Sequence, residues 1–167
     1  MDNSKKIKSI IEKIVVNAGI GKISQEANFK DKIYPKLVSD LSMITGQKPA
    51  ATVSKRSIAG FKMRQGQIVG LKVTLRGQRM VDFFEKLVKI VLPRVRDFKG
   101  ISLKSVDSSG NLSIGFKDQY PFPEISVEET VYQLPLEVVI VTKAKNKEAA
   151  IKELTEIGVP LVNKNKK

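Results

Sequence analysis

Between residues 68 and 92 the hydrophobic period changes from two to nearly four, and no other feature of this 167-residue chain constrains its fold as strongly. From 68 to 75, Val69, Leu71, Val73 and Leu75 alternate with Ile68, Gly70, Lys72 and Thr74. Successive side chains of a strand point to opposite faces, so one face is apolar and the other carries a cation and a hydroxyl. From 80 to 92, Met80, Phe83, Phe84, Leu87, Val88 and Val91 form one helical stripe, which Pro93 is expected to close. A half-buried strand that feeds an amphipathic helix requires a sheet with helices on one face and solvent on the other.

The rest of the chain fits that plan. Residues 13–17 are rich in β-branched side chains and run into Gly19 and Gly21, a strand entering a turn, with the first strand beginning near Lys13. Ile33, Leu37, Val38, Leu41 and Ile44 have helical spacing, with Pro35 suited to a first turn and Gly46 to the stop. Pro49 leads a short extended piece to Val53. Extended pieces at 101–106 and 112–116 flank Asp107-Ser108-Ser109-Gly110-Asn111 and read as a hairpin. Tyr120-Pro121-Phe122-Pro123 reads as a rigid connector, and 136–142 as a buried strand. Asn146 is placed to cap a last helix, 147–157, that stops at Gly158 and Pro160. The expectation is one α+β domain over residues 1–160, a mostly antiparallel sheet with helices packed on one face. Residues 161–167 are expected to form a disordered basic tail.

Charge narrows the function. Thirty Lys and Arg stand against seventeen Asp and Glu, a net +13, and residues 46–104 alone carry +11 of it. Such localisation favours a surface that faces a polyanion. The chain has no Cys and no His, which removes thiol and imidazole chemistry, disulfides and the usual zinc sites. No cofactor, metal site or catalytic residue is expected. The first thirteen residues, with Lys5, Lys6 and Lys8 before Ile10-Ile11, do not make a secretory signal. No uncharged apolar run approaches the ~18 residues of a membrane span, so no membrane partner is expected and the protein reads as soluble and cytoplasmic.

Three motifs invite a functional reading. Gly19-Ile20-Gly21-Lys22-Ile23-Ser24 follows a strand, but Ser24 stands where a dinucleotide fingerprint needs glycine, and Ile23 where a phosphate loop needs Ser or Thr. Glycines that turn the chain are the simpler reading. The stretch 54–67 is long, basic and punctuated by Gly60 and Gly66; Lys55, Arg56, Lys62 and Arg64 suit phosphates. Phe61 either stacks on an unpaired base or tucks under the loop. Lys72, Thr74 and Arg76 share one strand face, which could meet RNA through phosphates and 2′-hydroxyls or simply be solvated. Arg94 and Arg96 lie just past a helix end, with Asp97 as a local ion-pair partner. The acid pairs Glu128-Glu129 and Glu153-Glu156 read as solvated faces.

Six strings, taken together in order, resemble one family. They are Ile14-Val15-Val16-Asn17-Ala18-Gly19-Ile20-Gly21, Ile44-Thr45-Gly46-Gln47-Lys48-Pro49, and Lys55-Arg56-Ser57-Ile58-Ala59-Gly60-Phe61-Lys62-Met63-Arg64. The others are Gly70-Leu71-Lys72-Val73-Thr74-Leu75-Arg76-Gly77, Leu92-Pro93-Arg94-Val95-Arg96-Asp97-Phe98-Lys99-Gly100 and Phe122-Pro123-Glu124-Ile125. The chain resembles the family of the fifth protein of the bacterial large ribosomal subunit, the 5S rRNA binder of the central protuberance.

That resemblance implies an RNA-recognition-type sandwich with no enzymatic activity. It implies 5S rRNA contacts from Asn17, Gln47 and Thr74, flanked by Lys48, Lys72 and Arg76. It implies that the loop bearing Lys55, Arg56, Ser57, Gly60, Phe61, Lys62, Arg64 and Gly66 faces the P-site tRNA. Further implied partners are 23S rRNA, neighbouring proteins of the central protuberance and the small-subunit head. The chain departs from the family pattern in three places. An N-terminal helical extension is expected to be largely missing, residues 22–32 are longer, and Leu134-Pro135 replaces an Arg-Gly pair.

Overall fold

A computed structural model describes residues 3–126, 130 and 132–163, with Phe61 described by its backbone only. The architecture is α+β. The elements are α1 (Asn3–Ile10), β1 (Ile11–Gly19), α2 (Tyr34–Thr45), β2 (Ala50–Val53), β3 (Ile68–Leu75), α3 (Gly77–Lys86), α4 (Leu92–Arg94), β4 (Ile101–Ser102), β5 (Leu112–Phe116), β6 (Leu136–Thr142), α5 (Lys147–Glu156) and β7 (Leu161–Val162). Five strands form one sheet in the order β2-β3-β1-β6-β5, and every neighbouring pair in it is antiparallel.

The alternation expected for β3 holds from Leu71 to Leu75, where Leu71, Val73 and Leu75 are buried and Lys72 is exposed; at the start of the strand Ile68 and Val69 are both half-buried and Gly70 is buried under Thr52. β1 and β6 alternate in step, so Ile14, Val16, Ala18, Leu136, Val138 and Ile140 join the same core face. The helices α1, α2 and α3 pack on that side, with Ile7, Leu37, Leu41, Met80 and Phe84 buried among the strand side chains. The opposite face of the central strands stays open.

Local signals set most boundaries. Pro35 lies in the first turn of α2, and Gly46 ends that helix at φ +68°. Asn146 Oδ1 accepts from the Ala149 N–H at 2.9 Å, capping α5 as expected. Phe122 is fully buried between Phe83 and Phe116, at ring-centre distances of 6.3 and 5.6 Å, and so anchors the connector. Gln119, also fully buried, donates to the Tyr132 carbonyl (2.8 Å) and accepts from the Leu134 N–H (2.6 Å).

Four expectations need correction. The N-terminal helix is present: α1 covers Asn3–Ile10 and buries Ile7 and Ile10, and β1 begins at Ile11 rather than near Lys13. Pro93 does not close the helix before it. The helix begins earlier, at Gly77, and continues through a π turn (Leu87–Val91) into α4, where Pro93 occupies the first turn. In that turn the Leu92 N–H bonds to the Leu87 carbonyl, five residues back. This wider turn accommodates a proline that has no N–H and whose ring would crowd the preceding carbonyl.

The hairpin expected over 101–116 is a single bridge, Val106 to Leu112; Ile101–Ser102 instead pair in parallel with Leu161–Val162. Leu161 and Val162, assigned to the tail, are therefore a strand; residues 164–167 lie outside the described residues.

Candidate nucleic-acid interface

Strand register assembles the open face. Ala50 pairs with Lys72, Lys72 with Asn17, Asn17 with Glu137, and Glu137 with Gly115. Directly paired residues share a face, so these five make one continuous rung across all five strands. The next rung carries Thr74, Val15, Val139 and Ser113. On the other side of the first, Gly19 pairs with Gly70 and Gly70 with Thr52, which leaves a floor of bare backbone. Asn17, Thr52, Gly70, Lys72, Pro135 and Glu137 line a shallow depression of about 540 Å³ there. Gly70 is needed for that packing, because a Cβ on it would come within 2.6 Å of Thr52 Oγ1.

Gln47 reaches this face from the turn after α2. Its Nε2 donates to the Thr74 carbonyl at 3.3 Å, and its Oε1 accepts from Arg79 Nη1 at 3.4 Å. Thr45 Oγ1 donates to the Gln47 carbonyl at 3.0 Å and so sets the turn. Asn17, Gln47 and Thr74 are each half-buried, while Lys48, Lys72 and Arg76 are exposed. The structure thus brings the polar trio together beside the cations. Arg76 also pairs with Glu12 (3.5 Å), and the closer Lys13 holds the Glu12 carboxyl below the usual carboxylate range.

The basic segment 54–67 is an extension of the β2–β3 hairpin rather than an irregular loop. Ser54 N–H donates to the Gln67 carbonyl (2.8 Å), and Ile58 and Met63 exchange backbone bonds of 2.9 and 3.2 Å. One 3₁₀ turn (Ala59–Phe61) forms the tip, closed by Lys62 at φ +51°. Lys55, Arg56, Ser57, Gly60, Lys62, Arg64 and Gly66 lie along it with their side chains or backbone largely open to solvent, Lys55, Arg56, Lys62 and Arg64 spread over both arms. Ser57 Oγ accepts from the Gln65 N–H at 3.0 Å, so its hydroxyl supports the tip. The alternative uses of Phe61 concern a side chain outside the described residues. Gln67 clasps the base: its Nε2 donates to Ser24 Oγ (2.8 Å), and its Oε1 accepts from the Arg64 N–H (3.0 Å).

The 22–32 segment meets this base through Ser24. Phe29 is buried beside Tyr34, and Glu26 accepts from the Tyr132 hydroxyl, which raises the phenol's pKa. A short 3₁₀ turn, Ile23–Gln25, follows Gly21, so the glycines turn the chain and open no helix N-terminus for a phosphate. Leu134 is fully buried. Arg96 meets Asp97 at 3.9 Å with both side chains exposed, a pairing of little energetic weight. Glu128 and Glu129 lie outside the described residues.

Sequence reasoning missed Glu137 and Thr52. Glu137 is the acidic member of an otherwise apolar run, and only the register across β6 and β1 reveals its neighbours.

Comparison with known proteins agrees with this geometry. The model of the ribosomal protein L5 family matches residues 8–64, and the model of the C-terminus of that ribosomal family matches residues 68–161. The large ribosomal subunit proteins uL5 of Lacticaseibacillus casei and of Lacticaseibacillus paracasei are each 49% identical to the chain over 150 residues. That span is 90% of this chain and 81% of each relative. With both halves matched in order and about half of the aligned positions identical, the chain belongs to the ribosomal protein L5 family.

Proposed function

We propose that the protein is a structural constituent of the large ribosomal subunit of the cytoplasmic ribosome and holds 5S rRNA on the open face of its sheet. The observation that carries this reading is the convergence of Asn17, Gln47 and Thr74 beside Lys48, Lys72 and Arg76. Polar groups fixed by strand register suit shape-specific contact with folded RNA, and the cations around them suit its phosphates. The hairpin extension carries Lys55, Arg56, Lys62 and Arg64 and is read as the contact to the P-site tRNA elbow. Contacts with 23S rRNA, with neighbouring proteins of the central protuberance and with the small-subunit head complete the proposed set of partners.

Gel-shift titration of the purified protein against 5S rRNA tests the reading. Saturable one-to-one binding that outcompetes an unrelated structured RNA of equal length is expected. Equal affinity for the two RNAs would reduce the surface to a generic polyanion binder. Replacing Lys55, Arg56, Lys62 and Arg64 together with alanine should leave preference for 5S rRNA intact and weaken tRNA binding.

A further inference from the structure

Glu137 is out of place on a surface meant for phosphates. It is the second residue of β6, on the same rung as Lys72 and Asn17, and it is exposed. The other acid near that face, Glu12, is neutralised by Lys13 and Arg76 at 3.3 and 3.5 Å. Among the described residues no ion pair engages Glu137. Its contact is with Asn17, whose Nδ2 donates to Glu137 Oε2 at 3.4 Å. On the far side its rung neighbour is Gly115, with nothing within 4 Å of where a Cβ would stand.

Hydrogen-bond inventory gives this arrangement a direction. An ionised carboxylate only accepts, and an amide oxygen only accepts. With one Asn17 amide hydrogen turned toward Glu137, the pair still offers a ligand Asn17 Oδ1, the carboxylate's open lone pairs and a single amide hydrogen. Acceptors outnumber donors, and the charge is negative. A phosphate, which also offers only acceptors and a negative charge, is repelled there. A hydroxyl or an amine hydrogen is attracted, and a hydrogen bond to a charged acceptor is stronger than a neutral one.

We infer that Glu137 is a specificity-determining residue of the proposed RNA face, receiving a donor hydrogen from a ribose 2′-hydroxyl or a guanine exocyclic amine while Lys72, its neighbour but one, takes the phosphate. The inference rests on the proposed 5S rRNA reading and deepens it. Charge alternates along the rung from cation to amide to anion, so a strand of RNA is read in one registration. DNA, which lacks the 2′-hydroxyl, loses one of the two possible donors.

Nucleotide-analogue interference on 5S rRNA tests this directly. Transcripts with scattered 2′-deoxy substitutions, or with inosine in place of guanosine, are selected for binding by the wild-type protein and by Glu137→Ala and Glu137→Gln. The expected result is at least one position where the analogue weakens wild-type binding about fivefold or more and no longer matters to Glu137→Ala. Loss of a 2′-deoxy signal identifies the ribose as donor, and loss of an inosine signal identifies a guanine amine. Glu137→Gln should in addition bind duplex DNA several-fold more tightly than wild type, because the repelling charge is gone. Glu137→Asp should restore the wild-type interference pattern, which a purely structural role for the side chain would not produce.

Identical interference maps for wild type and Glu137→Ala overturn the inference. Asn17→Ala and Thr74→Ala, measured in parallel, report separately on the 5S rRNA face. If they weaken binding while the Glu137 maps stay unchanged, only the role of Glu137 fails.

Discussion

Gln47 donates from Nε2 to the backbone carbonyl of Thr74 at 3.3 Å, across 27 positions of sequence. This bond ties the turn after α2 to the exit of β3 and fixes where the Gln47 amide meets the open face. Gln47→Ala should cost about 0.5–1.5 kcal/mol of folding stability, the ordinary net value of one hydrogen bond. Its effect on 5S rRNA affinity should be larger, about 1–3 kcal/mol, since a donor and acceptor on the RNA would also lose a partner. Urea melts and gel shifts on the same preparation separate the two losses; an affinity loss no greater than the stability loss assigns Gln47 a structural role only.

Asn17→Ala and Thr74→Ala remove side chains on the open face and leave the buried side of each strand untouched. Each should weaken 5S rRNA binding by about 1–3 kcal/mol and change stability by less than about 0.5 kcal/mol. Affinity like that of wild type for either variant takes that residue out of the interface.

Affinity for 5S rRNA should fall steeply with salt, because cations on the protein displace counterions condensed on the phosphates. Lys72→Met should lower the slope of log affinity against log salt by about one. Titrations between low and moderate ionic strength measure this, and a flat wild-type response contradicts phosphate neutralisation as the source of affinity.

Lys86 joins three parts of the molecule through one side chain. Its Nζ donates to the Ile44 carbonyl (2.6 Å) and to the Glu124 carboxylate, and it lies 5.6 Å from the centre of the Phe83 ring. The C-terminus of α2, the α3 face and the connector meet there. Lys86→Ala should destabilise the fold by about 1–3 kcal/mol, because hydrogen bonds to charged groups are costly to leave unmade. Lys86→Met with Glu124→Leu, which removes both charges, should cost less than Lys86→Ala alone. Denaturant midpoints at an unchanged m-value decide between these outcomes.

Asp107 supplies one pH-dependent element. The Asn111 backbone N–H, then its side-chain amide, donate to the Asp107 carboxylate and hold its pKa below the usual range. A depressed folded-state pKa means that the unfolded chain binds more protons as pH falls. The stabilisation is complete above the ordinary carboxylate value of about 3.9 and disappears as pH drops through the lower folded-state value. Stability measured from about pH 6 down to about pH 2 should fall less steeply in Asp107→Asn than in wild type over that acid window. Parallel curves for the two proteins remove Asp107 from the acid response.

Much of this fold is visible in local residue patterns, and the exceptions share a cause. The two-residue period of β3, Pro35 and Gly46 around α2, and Asn146 ahead of α5 act over a few residues, so the chain states them directly. α1 carries only Ile7 and Ile10 among lysines, a stripe too short to stand out. β4 takes its partner from Leu161–Val162, far along the chain, so its local likeness to a hairpin strand misleads. The open face is similar. Thr74 follows from alternation, but Asn17 and Gln47 sit in no pattern of their own and are legible only through family resemblance. Glu137 becomes meaningful only when register sets it beside Asn17.

The five-strand rung from Ala50 to Gly115 has one more implication. Neighbouring strands stand about 4.8 Å apart, so Lys72, Asn17 and Glu137 form a ruler whose graduations backbone hydrogen bonds hold rigid before any ligand arrives. Little backbone freedom remains to be lost there on association, which favours capture of an RNA whose own groups already match that spacing. The same stiffness denies the protein any means of adjusting to an RNA folded otherwise, so discrimination falls to the shape of the nucleic acid rather than to movement of the sheet.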